Sequence, residues 1–470
     1  MEKSARVLVI GGGPAGLTAA YELTKNGQEV VVIEKDSQVG GIAKTINYKG
    51  YLFDLGGHRF FTKYPEVQKI WQEVLPNDFL TRPRLSRIYY RGKFFYYPIK
   101  PFNALRNLGP LTAISSVFSY FKARLRPYPN PTSFEEWVVN LFGRQLFEIF
   151  FKTYTEKVWG IPCQQISADW AAQRIQGLSL ITAVLNAFGL TGKQKVRTLI
   201  DEFQYPRRGP GQFWETTAEA IQNYGGKVEL RSEAVEINMR PTNDFLVKIN
   251  HNGSLEEIEA DAIISSMALA ELILSLRPYP PAEIIQAAKR LSYRDFFTVG
   301  VVVNKENIFP DNWIYIHSPE IKAGRLQNFK NWNPEMVPDP ATTSLGLEFF
   351  RFASDPVWSQ PDKNLIDTAI EDLANLHFAE TKDLTDAVVI RVPKAYPVYL
   401  PDYQANVKII KDYLEKLPGL QTIGRNGLHR YNNQDHSMMT GLYAAWNLKG
   451  EHHSVWDVNV EEEYHEIQRD

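Results

Sequence analysis

The chain has 470 residues, more than one hydrophobic core normally supports, so two or more lobes are expected. Apolar residues make up 44% and charged residues 23%, and 52 basic against 54 acidic residues leave a net charge of −2. That balance gives no electrostatic reason to expect nucleic acid or an anionic membrane as a partner, and the single cysteine, Cys163, excludes an intrachain disulfide and a cysteine-based metal site.

Taken in order, residues 6–34 read β-α-β, with apolar strands at 7–10 and 30–33 around a helix that begins near Pro14. The first strand starts too early to leave room for a signal peptide, and no apolar run approaches the roughly eighteen residues of a membrane span. A cytoplasmic protein without a transmembrane segment is therefore expected. From 64 to about 200 the pattern is mainly helical and aromatic, with Trp71, Trp137, Phe147, Phe150 and Phe151 read as core. Within it, 86–90 and 93–97 read as a strand pair turned at Arg91-Gly92. The segment 108–128, apolar first and then basic at Lys122, Arg124 and Arg126, reads as an amphipathic helix packed in a substrate lobe rather than lying on a membrane surface.

Gly, Pro and Arg around 204–214 mark a crossing between lobes, followed by a helix at 212–224 and a strand at 228–231. An alternating strand pair is expected over 234–259 and a buried strand over 262–266. Strands at 298–304 and 344–350 announce a second sheet. A helix ends near Leu417, and a final helix covers about 437–448. His452-His453 reads as a solvated turn, and no metal is expected.

The fold class that follows is α/β. It consists of a Rossmann-type dinucleotide-binding domain, discontinuous in sequence, with an inserted helical substrate lobe and a second β-sheet. The expected division is 1–63, 206–275 and 393–470 for the dinucleotide domain, 64–205 for the helical lobe and 276–392 for the sheet.

Gly11-Gly12-Gly13-Pro14-Ala15-Gly16 has the G-x-G-x-x-G spacing between a strand and a helix. Gly11 suits a tight turn, Gly13 close approach of a diphosphate to the backbone, and Gly16 close packing of helix on strand. The helix start at Pro14 and Ala15 then faces the diphosphate with free N–H groups. Glu34, followed by Lys35, ends the second strand where a ribose acceptor is needed.

Glu34 with Gly40-Gly41, and then Asp54-Leu55-Gly56-Gly57-His58, resembles the FAD signature of the amine-oxidase and protoporphyrinogen-oxidase superfamily. The resemblance implies FAD, with Gly41, Gly57 and His58 near its ring and Val235 on an adenine-flanking strand.

Further segments are similar to UDP-galactopyranose mutase, in that family's order and over nearly the whole chain. They are Gly57-His58-Arg59-Phe60-Phe61-Thr62, the hairpin from Arg91 to Pro98, and Phe151-Lys152-Thr153-Tyr154-Thr155-Glu156-Lys157-Val158-Trp159-Gly160. Ser292-Tyr293-Arg294, Tyr396-Pro397-Val398 and Gly424-Arg425 with Arg430-Tyr431 complete the set.

The chemistry implied is redox-neutral. Reduced flavin N5 displaces UDP from the anomeric carbon of a nucleotide sugar, whose ring opens and recloses. By position, Arg294 would contact the diphosphate, and Tyr154, Thr155 and Trp159 would line the nucleotide pocket. His58 would sit beside the flavin, Gly424 and Arg425 at flavin or substrate, and Tyr431 and Tyr396 at substrate. Each has a plainer reading: Trp159 and Tyr396 as packing residues, Arg294 as a surface arginine.

The chain departs from the mutase pattern at Phe61, Leu178, His429 and Asn433-Gln434, with Arg174 near the position of a loop arginine. Two other functions stay open: an FAD-dependent oxidase or desaturase, and a flavin-binding partner without catalysis.

Overall fold

The computed structural model describes residues 6–97, 99–168 and 202–460. Arg174 and Leu178 lie outside the described residues.

The strand Arg6–Ile10 is buried from its second residue onward, as a central parallel strand must be when helices cover both faces. It pairs with Glu29–Glu34 on one side and with Ala262–Ser265 on the other. Lys227–Leu230 and Leu420–Thr422 close the edges of this five-stranded parallel sheet. The sheet is thus assembled from three distant stretches of chain.

The helix Pro14–Lys25 lies against the last long helix, Gln434–Leu448. Glycine makes that contact close, because a Cβ on Gly441 would overlap the carbonyl oxygen of Ala15. The expected helices at 212–224 and 437–448 are Pro210–Asn223 and Gln434–Leu448.

Over 234–259 the chain makes three strands, not two. Ser232–Met239, Phe245–His251 and Ser254–Ala260 form an antiparallel meander. Pro241 and the left-handed Asn243 break the first connection, and Asn252-Gly253, both at positive φ, form the second turn.

The second sheet has seven strands, in the order Leu384–Val398, Ser292–Val303, Thr343–Arg351, Arg325–Asn328, Trp313–Ile316, Ser86–Tyr90, Lys93–Tyr96. The last two form the anticipated hairpin, turned through Arg91 and Gly92 at φ 47 and 78. Although it falls in the mainly helical stretch, this hairpin belongs to the sheet: Ser86–Tyr90 pairs in parallel with Trp313–Ile316. The strand Leu384–Val398 likewise carries the sheet past residue 392.

The helical lobe contains Pro101–Leu108, Pro110–Leu125, Phe134–Phe142 and Thr153–Trp159. Phe134–Phe142 starts at a reciprocal capping box between Ser133 and Glu136. Trp71, Phe147 and Phe150 are buried, whereas Trp137 and Phe151 are partly so.

The helix expected within 108–128 is present as Pro110–Leu125, but its apolar face is not packed inward. It buries Ser116, Tyr120 and Ala123 and turns its large apolar side chains to solvent. Small residues give the close approach here: a Cβ on Gly143 would come 2.7 Å from the Tyr120 amide.

Candidate functional site

At the dinucleotide turn, Gly11 adopts φ 102 and donates its N–H to Ile33 O at 2.8 Å. Added side chains would collide with Ser266 at Gly11 and with the Gly11 carbonyl at Gly16. Gly13 differs: a Cβ there would meet only Gly41 Cα, at 3.8 Å. The backbone at Gly13 is thus open to close approach by a diphosphate.

Gly13 is the extended N-cap of Pro14–Lys25, and no side chain caps that helix, so its first N–H groups are left for an anion. The Gly41 backbone faces this turn, with its Cβ position 3.2 Å from Gly13 Cα. Gly424 approaches from the C-terminal segment, its Cβ position 3.0 Å from Ala15 Cβ, and donates its N–H to Thr440 Oγ1 at 2.9 Å.

Glu34 is buried and tied in place: its Oε2 accepts from Gly12 N at 2.7 Å and its Oε1 from Asp36 N at 2.8 Å. Lys35 is exposed beside it. Val235 is exposed too, at the bulge between Ala234 and Glu236. The uncapped helix start, the glycine cradle and the fixed acid fit the diphosphate and ribose of FAD.

The strand Tyr51–Asp54 leads into Gly56-Gly57-His58 at the floor of a cleft. Asp54 is buried and accepts from Thr45 Oγ1 at 2.8 Å and from the Tyr205 hydroxyl. Burial pushes its carboxyl up to about 7, against the pull of both hydrogen bonds. His58 Nε2 lies 3.0 Å from Leu55 O, a geometry in which that nitrogen donates. Burial first, then the positive charge of Arg425 and Arg325, lowers the imidazole to about 4, so His58 is neutral at physiological pH.

Tyr396 and Tyr431 stack in the cleft wall with centroids 5.5 Å apart. The Arg425 guanidinium lies 5.4 Å from the first ring and 4.6 Å from the second, held by Nε donating to Asn432 O at 2.8 Å. Arg325 Nη2 donates to the Tyr396 hydroxyl at 2.9 Å and pairs with buried Glu348 at 2.7 Å. Arg59, 5.0 Å from the centroid of Trp313, adds a third guanidinium to the lining.

His58, Gly57, Arg425, Tyr431 and Tyr396 therefore come together. Tyr154 stands behind this wall, stacked on His317 at 4.9 Å and edge-on to Tyr315, which lines the cleft. Thr155 and Trp159 are buried in the helical lobe, with Trp159 packed against Tyr396 and Tyr399 at 6.4 and 6.3 Å.

Arg294 is not among the cleft-lining residues. It is 3% exposed, and its guanidinium donates to the carbonyls of Val158 at 3.0 Å, Lys157 at 3.2 Å and Phe350 at 2.8 Å. It closes the C-terminal end of the helix Thr153–Trp159. Neither the surface-arginine reading nor an open ligand position describes it.

The sequence alone does not single out Arg325, Trp313, Glu348 and Gln327. Their signal is the period-two pattern of Trp313-Ile314-Tyr315-Ile316 and Arg325-Leu326-Gln327, which puts long polar and aromatic groups on one face. Among the departures from the mutase pattern, Phe61, Asn433 and Gln434 line the cleft. His429 is buried with Nε2 3.3 Å from Val398 O.

A Rossmann-type sheet with a glycine cradle, joined to a second sheet across an arginine- and tyrosine-lined cleft, defines an FAD-dependent enzyme. The chain belongs to the flavin containing amine oxidoreductase family, whose model matches residues 14–415. It is similar to a 15-cis-phytoene desaturase of an Oncidium hybrid cultivar, 24% identical over 407 residues, covering 80% of this chain and 65% of that protein. Curated relatives are matched over less than two thirds of their own length: 8%, 51% and 65% in three of them.

The fold is similar to that of reduced UDP-galactopyranose mutase, with TM-score 0.84 at 21% identity over 98% of this chain and 99% of that one. A cofactor-binding redesign of putrescine oxidase matches at TM-score 0.64 and 16% identity, over 95% and 99%. No described helix is long and apolar enough to cross a membrane.

Proposed function

We propose that the protein is a redox-neutral isomerase of a nucleotide sugar, working in the manner of UDP-galactopyranose mutase. One observation carries this reading: Arg325 and Arg425 converge on the stacked Tyr396–Tyr431 pair beside His58. A leaving diphosphate needs such paired guanidinium donors, and an amine or a hydrocarbon does not. FAD, when bound and reduced, supplies the nucleophile that displaces the nucleotide, and no net electrons are consumed.

The chain's own groups do the rest. Arg325, fixed by Glu348, and Arg425, fixed by Asn432 O, take up the negative charge of the departing diphosphate without reorganising. The tyrosine rings form flat walls for sugar and base. Neutral His58 keeps further positive charge away from the cofactor edge and positions the Gly56-Gly57 turn through Leu55 O. The differing lining at Phe61, Asn433 and Gln434 supports a sugar other than galactose. A nucleotide-sugar substrate and the lone reduced thiol suit a cytoplasmic location.

A second reading, FAD-dependent oxidation or desaturation of a small molecule, is favoured by the family and by the apolar lining of Phe61, Phe203 and Trp313. Titrating oxidised and dithionite-reduced protein with UDP and UDP-hexoses, while following flavin absorbance and products, separates the two. Isomerisation requires reduced flavin and consumes no reductant. Failure to bind UDP in either redox state, together with flavin bleaching by an amine or isoprenoid substrate, would sink the isomerase reading.

A further inference from the structure

The helices Pro101–Leu108 and Pro110–Leu125 carry an apolar ridge that nothing in the described structure covers. Along the longer helix Leu111, Ile114, Phe118, Phe121 and Leu125 recur at three- and four-residue spacing, so they form one stripe. They are 83%, 55%, 72%, 57% and 82% exposed. Phe102, 75% exposed, extends the surface on the shorter helix. Of the seventeen large apolar side chains that are exposed among the described residues, eleven fall between Tyr96 and Tyr128. Scattered exposed apolar residues are ordinary, but this concentration on one feature is not.

Charge identifies the occupant. Residues 79–134 contain ten Lys and Arg and no Asp or Glu, in a chain whose net charge is −2. Lys100, Arg106, Lys122, Arg124 and Arg126 flank the ridge, all exposed, and none makes an ion pair within the described residues.

We propose that this helical hairpin docks the protein on an anionic lipid surface, with the apolar crest in the acyl boundary and the basic flanks among the headgroups. A helix of 16 residues presents a ridge of ~24 Å. A convex ridge with an apolar crest and like-charged flanks matches an interface that is apolar at depth and negative at its surface. Pairing two copies ridge to ridge would instead bring the basic flanks together. The inference is independent of the reaction in the cleft.

The test is flotation of the full-length FAD-loaded protein with vesicles. One set contains equal parts phosphatidylglycerol and phosphatidylcholine, and the other phosphatidylcholine alone. The protein is expected to float with the first and not with the second. Phe118→Ser/Phe121→Ser is expected to weaken partitioning by ~10-fold or more with unchanged flavin spectrum and melting temperature. Lys122→Glu/Arg126→Glu should reduce it too, with added salt weakening the wild type in parallel. Three results overturn the proposal: wild type that stays unbound with anionic vesicles, a phenylalanine variant that binds as well as wild type, or a wild-type dimer in sedimentation that the same variant splits.

Discussion

Arg325 and Glu348 stand directly opposite each other on adjacent antiparallel strands, joined by an ion pair of 2.7 Å whose carboxylate is fully buried. The pair holds Nη2, which also donates to the Tyr396 hydroxyl, and the side chain keeps a small exposed part in the cleft wall. Arg325→Lys keeps the charge but loses the planar fork. It should weaken UDP binding by roughly 10- to 100-fold at unchanged FAD content. Calorimetric titration measures this, and undiminished affinity would remove Arg325 from the binding machinery.

Arg294 should behave in the opposite way. Its carbonyl partners are internal, so Arg294→Ala strips this donor from Lys157 O and Val158 O, while Phe350 O keeps Arg351 Nη1, and costs about 2–4 kcal/mol of stability. Urea unfolding should show the loss, while the folded fraction binds UDP as the wild type does.

Buried Asp54 and half-buried His58 should tilt the pH dependence of stability in opposite directions. Asp54 titrates at about 7 in the folded state against an ordinary 3.8, so its contribution is full below about 4 and is lost as pH rises toward 7. His58 titrates at about 4 against an ordinary 6.5, so its contribution is present above 6.5 and is lost as pH falls toward 4. His317 and His429, also lowered by burial, act in the same sense as His58. Thermal melts across pH 4–7 should therefore change slope with opposite sign for Asp54→Asn and His58→Gln. Equal slopes would contradict the burial of these groups.

The glycines of the dinucleotide turn are separable by experiment. Gly16→Ala drives a Cβ into Gly11 O and should cost about 1–3 kcal/mol along with the flavin. Gly13→Ala meets only Gly41 Cα at 3.8 Å, so the protein should melt like flavin-free wild type yet purify without flavin absorbance. A yellow Gly13→Ala protein would show that the diphosphate does not lie there.

The cofactor half of the site was legible because its physics is local. Gly11, Gly13, Gly16 and Glu34 act within one β-α-β unit, and their spacing carries the geometry. The cleft was less legible because register builds it. Tyr315, Arg325 and Glu348 are neighbours only once three strands align. Arg294 illustrates the converse. Whether a strand arginine binds a ligand or closes a helix depends on where Lys157, Val158 and Phe350 bring their carbonyls, which no spacing reveals. In the helix Pro110–Leu125, the sequence reads as amphipathic but does not show which way the apolar side chains turn. Ser116 and Ala123 decided that by permitting close packing on the opposite side.

The interleaved sheet of the dinucleotide domain also has a cost during synthesis. The strand Arg6–Ile10 leaves the ribosome with one partner but acquires Ala262–Ser265 only some 250 residues later, and the sheet edge at Leu420–Thr422 later still. At ~5–20 residues per second, the nascent domain waits on the order of 20 to 80 seconds with an unpaired strand edge and an uncovered helix. The flavin cradle is therefore complete only once Gly424 and Thr440 have been made, long after the glycines of the first turn.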